Sequence, residues 1–370
     1  MTSIKIFICA FFTVLFFTAR GQGYAAIDER ARSIPFPKDR NIRNLALTLS
    51  EGCTTEKEKV RAYFVWICEN IKYDIKTFEN GKEMDPEKRK ALNDPENVLK
   101  NRKGVCEGYS NLFVALCGEV NIKALKVAGL SKNTAGKVFR GGHAWCMVRT
   151  DGQWGLTDPT WGAGDVDLDA GKYEKRFKER YFLGTPEAMI LEHYPLDPLF
   201  QMLPNPLTLE EFKQNDIKST LAQKQSGKPR AGFDNITDSI NVFVSLDSTE
   251  MLNRAGTRIL SVEPNSNVGL YNVGMYHFRL ASQHLDAYKN QLIDLQSSRK
   301  PITAAWCDQQ IAHLDSAKSK FQKSMEITDR STVNDTYSAG IKMLRRNTQN
   351  MLEFVENSTN NLKKSRSRAH

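Results

Sequence analysis

Three residues of this chain are of the types that make and break amide bonds. Cys106 follows Gly104-Val105 and opens a stretch whose apolar residues recur at helical spacing. His143 follows Gly141-Gly142, and Asp158 precedes Pro159. A cysteine attacks as its thiolate. At a helix start it meets unpaired backbone N–H groups and the positive end of the helix dipole, and both favour the anion. An imidazole within reach can take the thiol proton and later give it to a leaving amine. A carboxylate can orient that imidazole and stabilise its cation.

Local rules place two of the three. Asp151-Gly152 lies between apolar runs, a strong hairpin signal. A two-residue turn there sets Thr150 opposite Gln153, Trp145 opposite Asp158 and His143 opposite Thr160. His143 and Asp158 then share one face as diagonal neighbours, ~7–8 Å apart at the backbone, within reach of an imidazole and a carboxylate. Pro159 keeps Asp158 extended. Whether Cys106 packs onto that face is beyond local rules.

The carrying elements read as follows. A helix begins at Thr54, polar and acidic over Thr55-Glu56-Lys57-Glu58, with Val60, Tyr63, Phe64 and Ile67 on its apolar face. Tyr73-Asp74 closes it. Residues 76–95 form a charged loop with short helical pieces. Tyr109, Leu112, Phe113, Leu116, Cys117 and Val120 make one buried stripe behind Cys106. Ala124 to Leu130 reads as a strand, and residues 131–142 as a loop. Four prolines from Pro195 to Pro206 mark an irregular wrap. Residues 219–231 read as a linker. Ile240 to Leu246 reads as a strand within a short β-containing segment, 232–262. Residues 263–370 form a helical bundle, with Phe278, Ala281, Leu285, Tyr288, Leu292 and Leu295 as a packing seam.

Composition bounds the rest. With 370 residues, 40% hydrophobic and 26% charged, the chain is an ordinary globular one of two domains. A net charge of +9 is mild and does not imply nucleic-acid binding. The only long apolar run, Ile6 to Ala19, follows Lys5 and precedes Ala19-Arg20-Gly21, the pattern of a signal peptide cleaved near Gly21/Gln22. Residues 1–21 are assigned to it, and the protein is expected to be exported, periplasmic or secreted. The seven cysteines match no metal or redox spacing, and the histidines at 277, 284 and 313 give no zinc pattern. The reading calls for no metal and no cofactor.

The segments Arg102 to Ser110, Gly142-His143-Ala144-Trp145 and Thr157-Asp158-Pro159-Thr160-Trp161 together resemble the transglutaminase-like superfamily of cysteine enzymes. Val65 to Asp74 is similar to that family's helix before the catalytic segment. His193 to Pro198, with Phe200-Gln201-Met202-Leu203 behind it, is similar to relatives with an extended core. The resemblance covers residues 50–215. It implies an α+β fold: a papain-like core with the catalytic helix packed on an antiparallel sheet, here over residues 22–218, followed by a mainly helical C-terminal domain. It maps the Cys-His-Asp triad onto Cys106, His143 and Asp158.

The expected activity is acyl transfer at an amide carbonyl of a protein or peptide substrate, through a thioester on Cys106. Hydrolysis is favoured over glutamine cross-linking, because water needs no second substrate groove. A non-catalytic binding scaffold is the third reading. The Cys106 backbone N–H is one oxyanion donor. Trp145 and Trp161 are candidate substrate walls. Cys117 and Cys146 read as core residues, His193 as loop packing, and Tyr73 as a bystander near the site. Sequons begin at Asn235, Asn334 and Asn357. The basic tail Lys363, Lys364, Arg366 and Arg368 is a solvated end suited to weak contact with an anionic envelope surface. The oligomeric state is left open.

Overall fold

A computed structural model describes residues 23–369, apart from 82, 134–135, 140, 168–169, 299–300, 333–334 and 336. The expected signal peptide, its cleavage point and Asn334 lie outside the described residues. The chain begins with helices α1 (Ala25–Ser33), α2 (Ile42–Ser50) and α3 (Glu56–Asn70). Strand β1 (Lys72–Tyr73) follows, then α4 (Ile75–Asn80), α5 (Pro86–Leu92), α6 (Pro95–Asn101), β2 (Lys103–Gly104) and α7 (Cys106–Gly118). Next come β3 (Ala124–Ser131), β4 (His143–Thr150), β5 (Gln153–Thr157), α8 (Pro159–Ala163), β6 (Gly164–Asp167) and β7 (Lys172–Lys175). The remainder comprises α9 (Pro186–Met189), β8 (His193–Pro195), α10 (Leu209–Lys213), α11 (Ile217–Gln225), α12 (Ile236–Phe243), α13 (Ser248–Val262), α14 (Asn267–Ser298), α15 (Ala304–Asp329) and α16 (Ser338–Arg366). The main sheet has the order β5-β4-β3-β8. The fold is a papain-like α+β core with a helical C-terminal region, as the family resemblance implied.

Two compact units divide the chain. One comprises residues 1–126 and 144–184, the other residues 127–143 and 185–370. In the first, α3 is the central rod. Thr55 and Glu58 form a reciprocal capping box at its start. Nine consecutive residues, Val60 to Cys68, are buried, because α1, α2, α7 and α8 surround the helix. Arg61 lies among them, only 2% exposed. Its guanidinium meets Asp28 twice at 2.7 Å and Glu179 at 2.8 and 2.6 Å. Burial alone would lower its pKa, but the two carboxylates outweigh that and raise it. Strand β4 lies against α7, where the Cys146 thiol donates to the Ser110 carbonyl at 3.6 Å. The β4–β5 ladder runs from Cys146 opposite Thr157 to Thr150 opposite Gln153, the register expected from the turn. Asp151 (φ 51°) and Gly152 (φ 80°) are both left-handed, which suits a tight two-residue hairpin.

In the second unit, β3 pairs with β8 through Ser131–His193, Leu130–Tyr194 and Gly129–Pro195. Ile190, Tyr194, Leu203, Leu207, Phe212, Ile217 and Leu221 form a core beneath them. Helices α14, α15 and α16 pack on one another around Ala281, Leu285, Tyr288, Cys307, Leu314, Phe321 and Val355. The expected seam is therefore real along most of its length.

Two expectations need correction. The strand expected at 240–246, and with it a β-containing segment over 232–262, is helical. Asn235 caps the Asp238 N–H and starts α12. Burial then follows helical spacing through Ile236, Ile240 and Phe243, whereas Val242, which a strand would bury beside Ile240, is 53% exposed. The expected linker 219–231 begins inside α11, whose Ile217 and Leu221 are buried; Asp216 caps this helix at Ser219. Only its latter part is irregular.

Candidate active site

Cys106 is the first residue of α7 and is 8% exposed. The N-cap position is Val105, which supplies no side-chain cap, so the first turn's N–H groups receive no acceptor from that residue. The segment leading into the helix is held by β1. Tyr73 faces Gly104 in a parallel pair, and the Asp74 N–H donates to the Gly104 carbonyl at 2.9 Å. Gly108 lets α7 approach α6 closely, because a methyl there would lie 2.8 Å from Val98.

Asp158 is fully buried and serves as the N-cap of α8. Its Oδ1 accepts from the Thr160 N–H at 2.8 Å and the Trp161 N–H at 3.0 Å. Its own N–H donates to the Tyr181 carbonyl at 2.9 Å. The sequence reading saw an extended residue before proline; the structure adds a cap, with Pro159 at the first helical position where its missing N–H costs nothing.

His143 opens β4 and is 8% exposed. The His193 ring lies beside it, centroids 5.3 Å apart and planes at 51°. The β4–β5 ladder stops at Cys146–Thr157, and Thr160 lies in α8, so the expected strand pairs Trp145–Asp158 and His143–Thr160 do not form: the cap at Asp158 turns the chain into a helix before they can. His193 was expected to be loop packing. No local signal could have revealed its position, which depends on the long-range β3–β8 pairing.

Residues 43–159 match the model of the transglutaminase-like superfamily. The chain carries a transglutaminase-like domain. Curated relatives include kyphoscoliosis peptidase of Homo sapiens, 35% identical over 179 residues covering 47% of this chain and 26% of that protein. Hillarin of Drosophila melanogaster is 29% identical over 205 residues, 50% of this chain and 24% of that protein. The chain therefore spans about a quarter of the length of these relatives. A crystal structure of a TGase is 19% identical, with a TM-score of 0.27, over 42% of this chain and 35% of that one.

Within the transglutaminase-like domain Cys53 is partly exposed, and the thiols other than Cys53 and Cys106 are sequestered. Cys68, Cys117 and Cys146 are buried, and burial pushes their thiols well up from the ordinary range; the Asp158 charge adds to this at Cys68. Tyr73 is a closer neighbour than the sequence reading allowed. Burial first, then the charges of Cys106, Asp158 and Asp74, raise its phenol. The two proposed walls diverge. Trp145 is 1% exposed and packs as a core side chain. Trp161 stays half-buried, edge-on to Tyr181 at 5.6 Å.

Proposed function

We propose that this protein is a cysteine-nucleophile enzyme that cleaves amide bonds in protein or peptide substrates. The observation that carries the reading is that Cys106 starts the buried helix α7 and, together with Asp158, lies near enough to the buried Tyr73 for both charges to act on its phenol. His143 takes the Cys106 proton as sulfur bonds to the carbonyl carbon. The Cys106 backbone N–H stabilises the oxyanion. The C–N bond then breaks, and the amine leaves with the proton returned by His143. Water attacks the thioester, giving one proton to His143; the S–C bond breaks, the acid departs and the thiol is re-protonated. Asp158 holds the imidazole and stabilises its cation. Among the relatives, the name peptidase favours hydrolysis.

The test is site-resolved alkylation with iodoacetamide. Cys106 should react faster than Cys53, the one described thiol that is not buried, and His143→Ala should abolish that advantage. Equal rates at Cys106 in both proteins refute the reading. With a glutamine peptide and a primary amine, release of ammonia without amine attachment supports hydrolysis, and attachment supports cross-linking.

A further inference from the structure

We propose that His193 is a positioning residue that holds the His143 ring in its working orientation. The proposal rests on the catalytic reading above and adds a fourth member to it.

His143 is the first residue of β4 and follows Gly141 (φ 120°) and Gly142. An imidazole turns easily about its second torsion, which has a broad, shallow profile. A general base must nonetheless aim one nitrogen at the thiol and the other at the carboxylate.

His193 is clamped. It faces Ser131 across the β3–β8 ladder, and the Lys132 N–H donates to the Glu192 carbonyl at 2.9 Å on one side of it. On the other side, the Tyr194 hydroxyl donates to Glu263 at 2.7 Å, and Pro195 fixes the following torsion. The ring is 2% exposed. A buried ring whose centroid lies 5.3 Å from that of His143 limits the angles the His143 ring can take. His193 therefore acts through His143, and the reaction needs no bond to it.

Full-length chains carrying His193→Phe, His193→Gln and His143→Ala would be compared for Cys106 alkylation at neutral pH and for thermal midpoint. The Phe variant keeps a flat ring but no nitrogen; Gln restores a polar donor and acceptor. The expected result is a loss of about tenfold to a hundredfold in His193→Phe at a midpoint near wild type, with His193→Gln falling in between. That graded rescue is not what a space-filling role would produce. If His143→Ala slows alkylation but His193→Phe matches wild type, the positioning role is overturned and the catalytic reading stands. If His143→Ala has no effect, the catalytic reading fails and this proposal with it. Should the Phe variant not fold, His193→Gln decides: a fall of about threefold or more supports the role, and a wild-type rate overturns it.

Discussion

On the proposed reading Asp158 carries two jobs on one side chain, capping α8 and orienting His143, and substitutions can separate them. Asp158→Asn keeps an amide oxygen at the N-cap, and Asn caps helices about as well as Asp. The bonds to the Thr160 and Trp161 N–H groups, 2.8 and 3.0 Å in the native protein, can persist. The expected stability loss is under ~1 kcal/mol. Asn carries no charge to stabilise an imidazolium and offers the wrong hydrogen-bonding partner, so Cys106 reactivity and amide turnover should fall by about 10² to 10⁴. Asp158→Ala removes the cap as well. Loss of a cap costs ~1 kcal/mol and orphaning the buried Thr160 N–H ~1–3, so a total of about 2–4 kcal/mol follows. For a unit of this size that lowers the thermal midpoint by roughly 5–15 °C. The assay pairs calorimetry with site-resolved iodoacetamide alkylation on the same samples. The argument predicts two variants alike in activity and unlike in stability. An Asn variant with wild-type reactivity would refute the catalytic role. An Asn variant as unstable as the Ala one would refute the capping role.

Other expectations follow from the same geometry. Gly162→Ala would place a methyl 2.4 Å from the Phe64 ring and 3.1 Å from the Cys68 sulfur, costing ~1–3 kcal/mol in denaturant titration. Because the Gly162 N–H also donates to the Asp158 carbonyl, Cys106 alkylation should slow as well. Arg61→Met would leave the half-buried Asp28 with only Arg32, 3.9 Å away, as a partner, destabilising by about 3 kcal/mol in the same assay, since Glu179 at 64% exposed can rehydrate. The Asp74 carboxyl would be raised by burial, but bonds from Lys103 and Thr77 prevail and hold it below the usual range. A lowered folded pKa gives stability that is present above the ordinary aspartate value of ~3.9 and lost as pH falls through the folded value. The gap in thermal midpoint between wild type and Asp74→Asn should therefore be largest near pH 7 and close in acid; a gap that widens in acid would contradict the sign.

The parts of the site governed by near neighbours were legible in advance. Asp151-Gly152 sets a turn, and the turn sets the register from Thr150–Gln153 to Cys146–Thr157. The capping box at Thr55 and Glu58 likewise announces α3. What escaped notice was either a competing local signal or a long-range pairing. Alternating Ile240, Val242 and Val244 suggested a strand, yet Asn235, three residues before Asp238, was already a helix start. The polar composition of 219–225 suggested a linker, while Ile217 and Leu221, one turn apart, bury in the core. The capping role of Asp158 was available from the proline that follows it. His193 was not available by any such rule, because β8 meets β3 only after some sixty residues of intervening chain are folded.

The carboxylate of Glu263 bears on where this protein can be cut. One of its oxygens accepts both the Tyr194 hydroxyl and the Leu209 N–H. Tyr194 is buried and sits directly beside His193. Ending the chain at Val262, the boundary at which composition turns helical, would strip a buried phenol of its acceptor and loosen the strand that carries the second imidazole. The first turn beyond α13 is thus a keystone of the β8 region, and a trimmed version meant to preserve that region has to retain it.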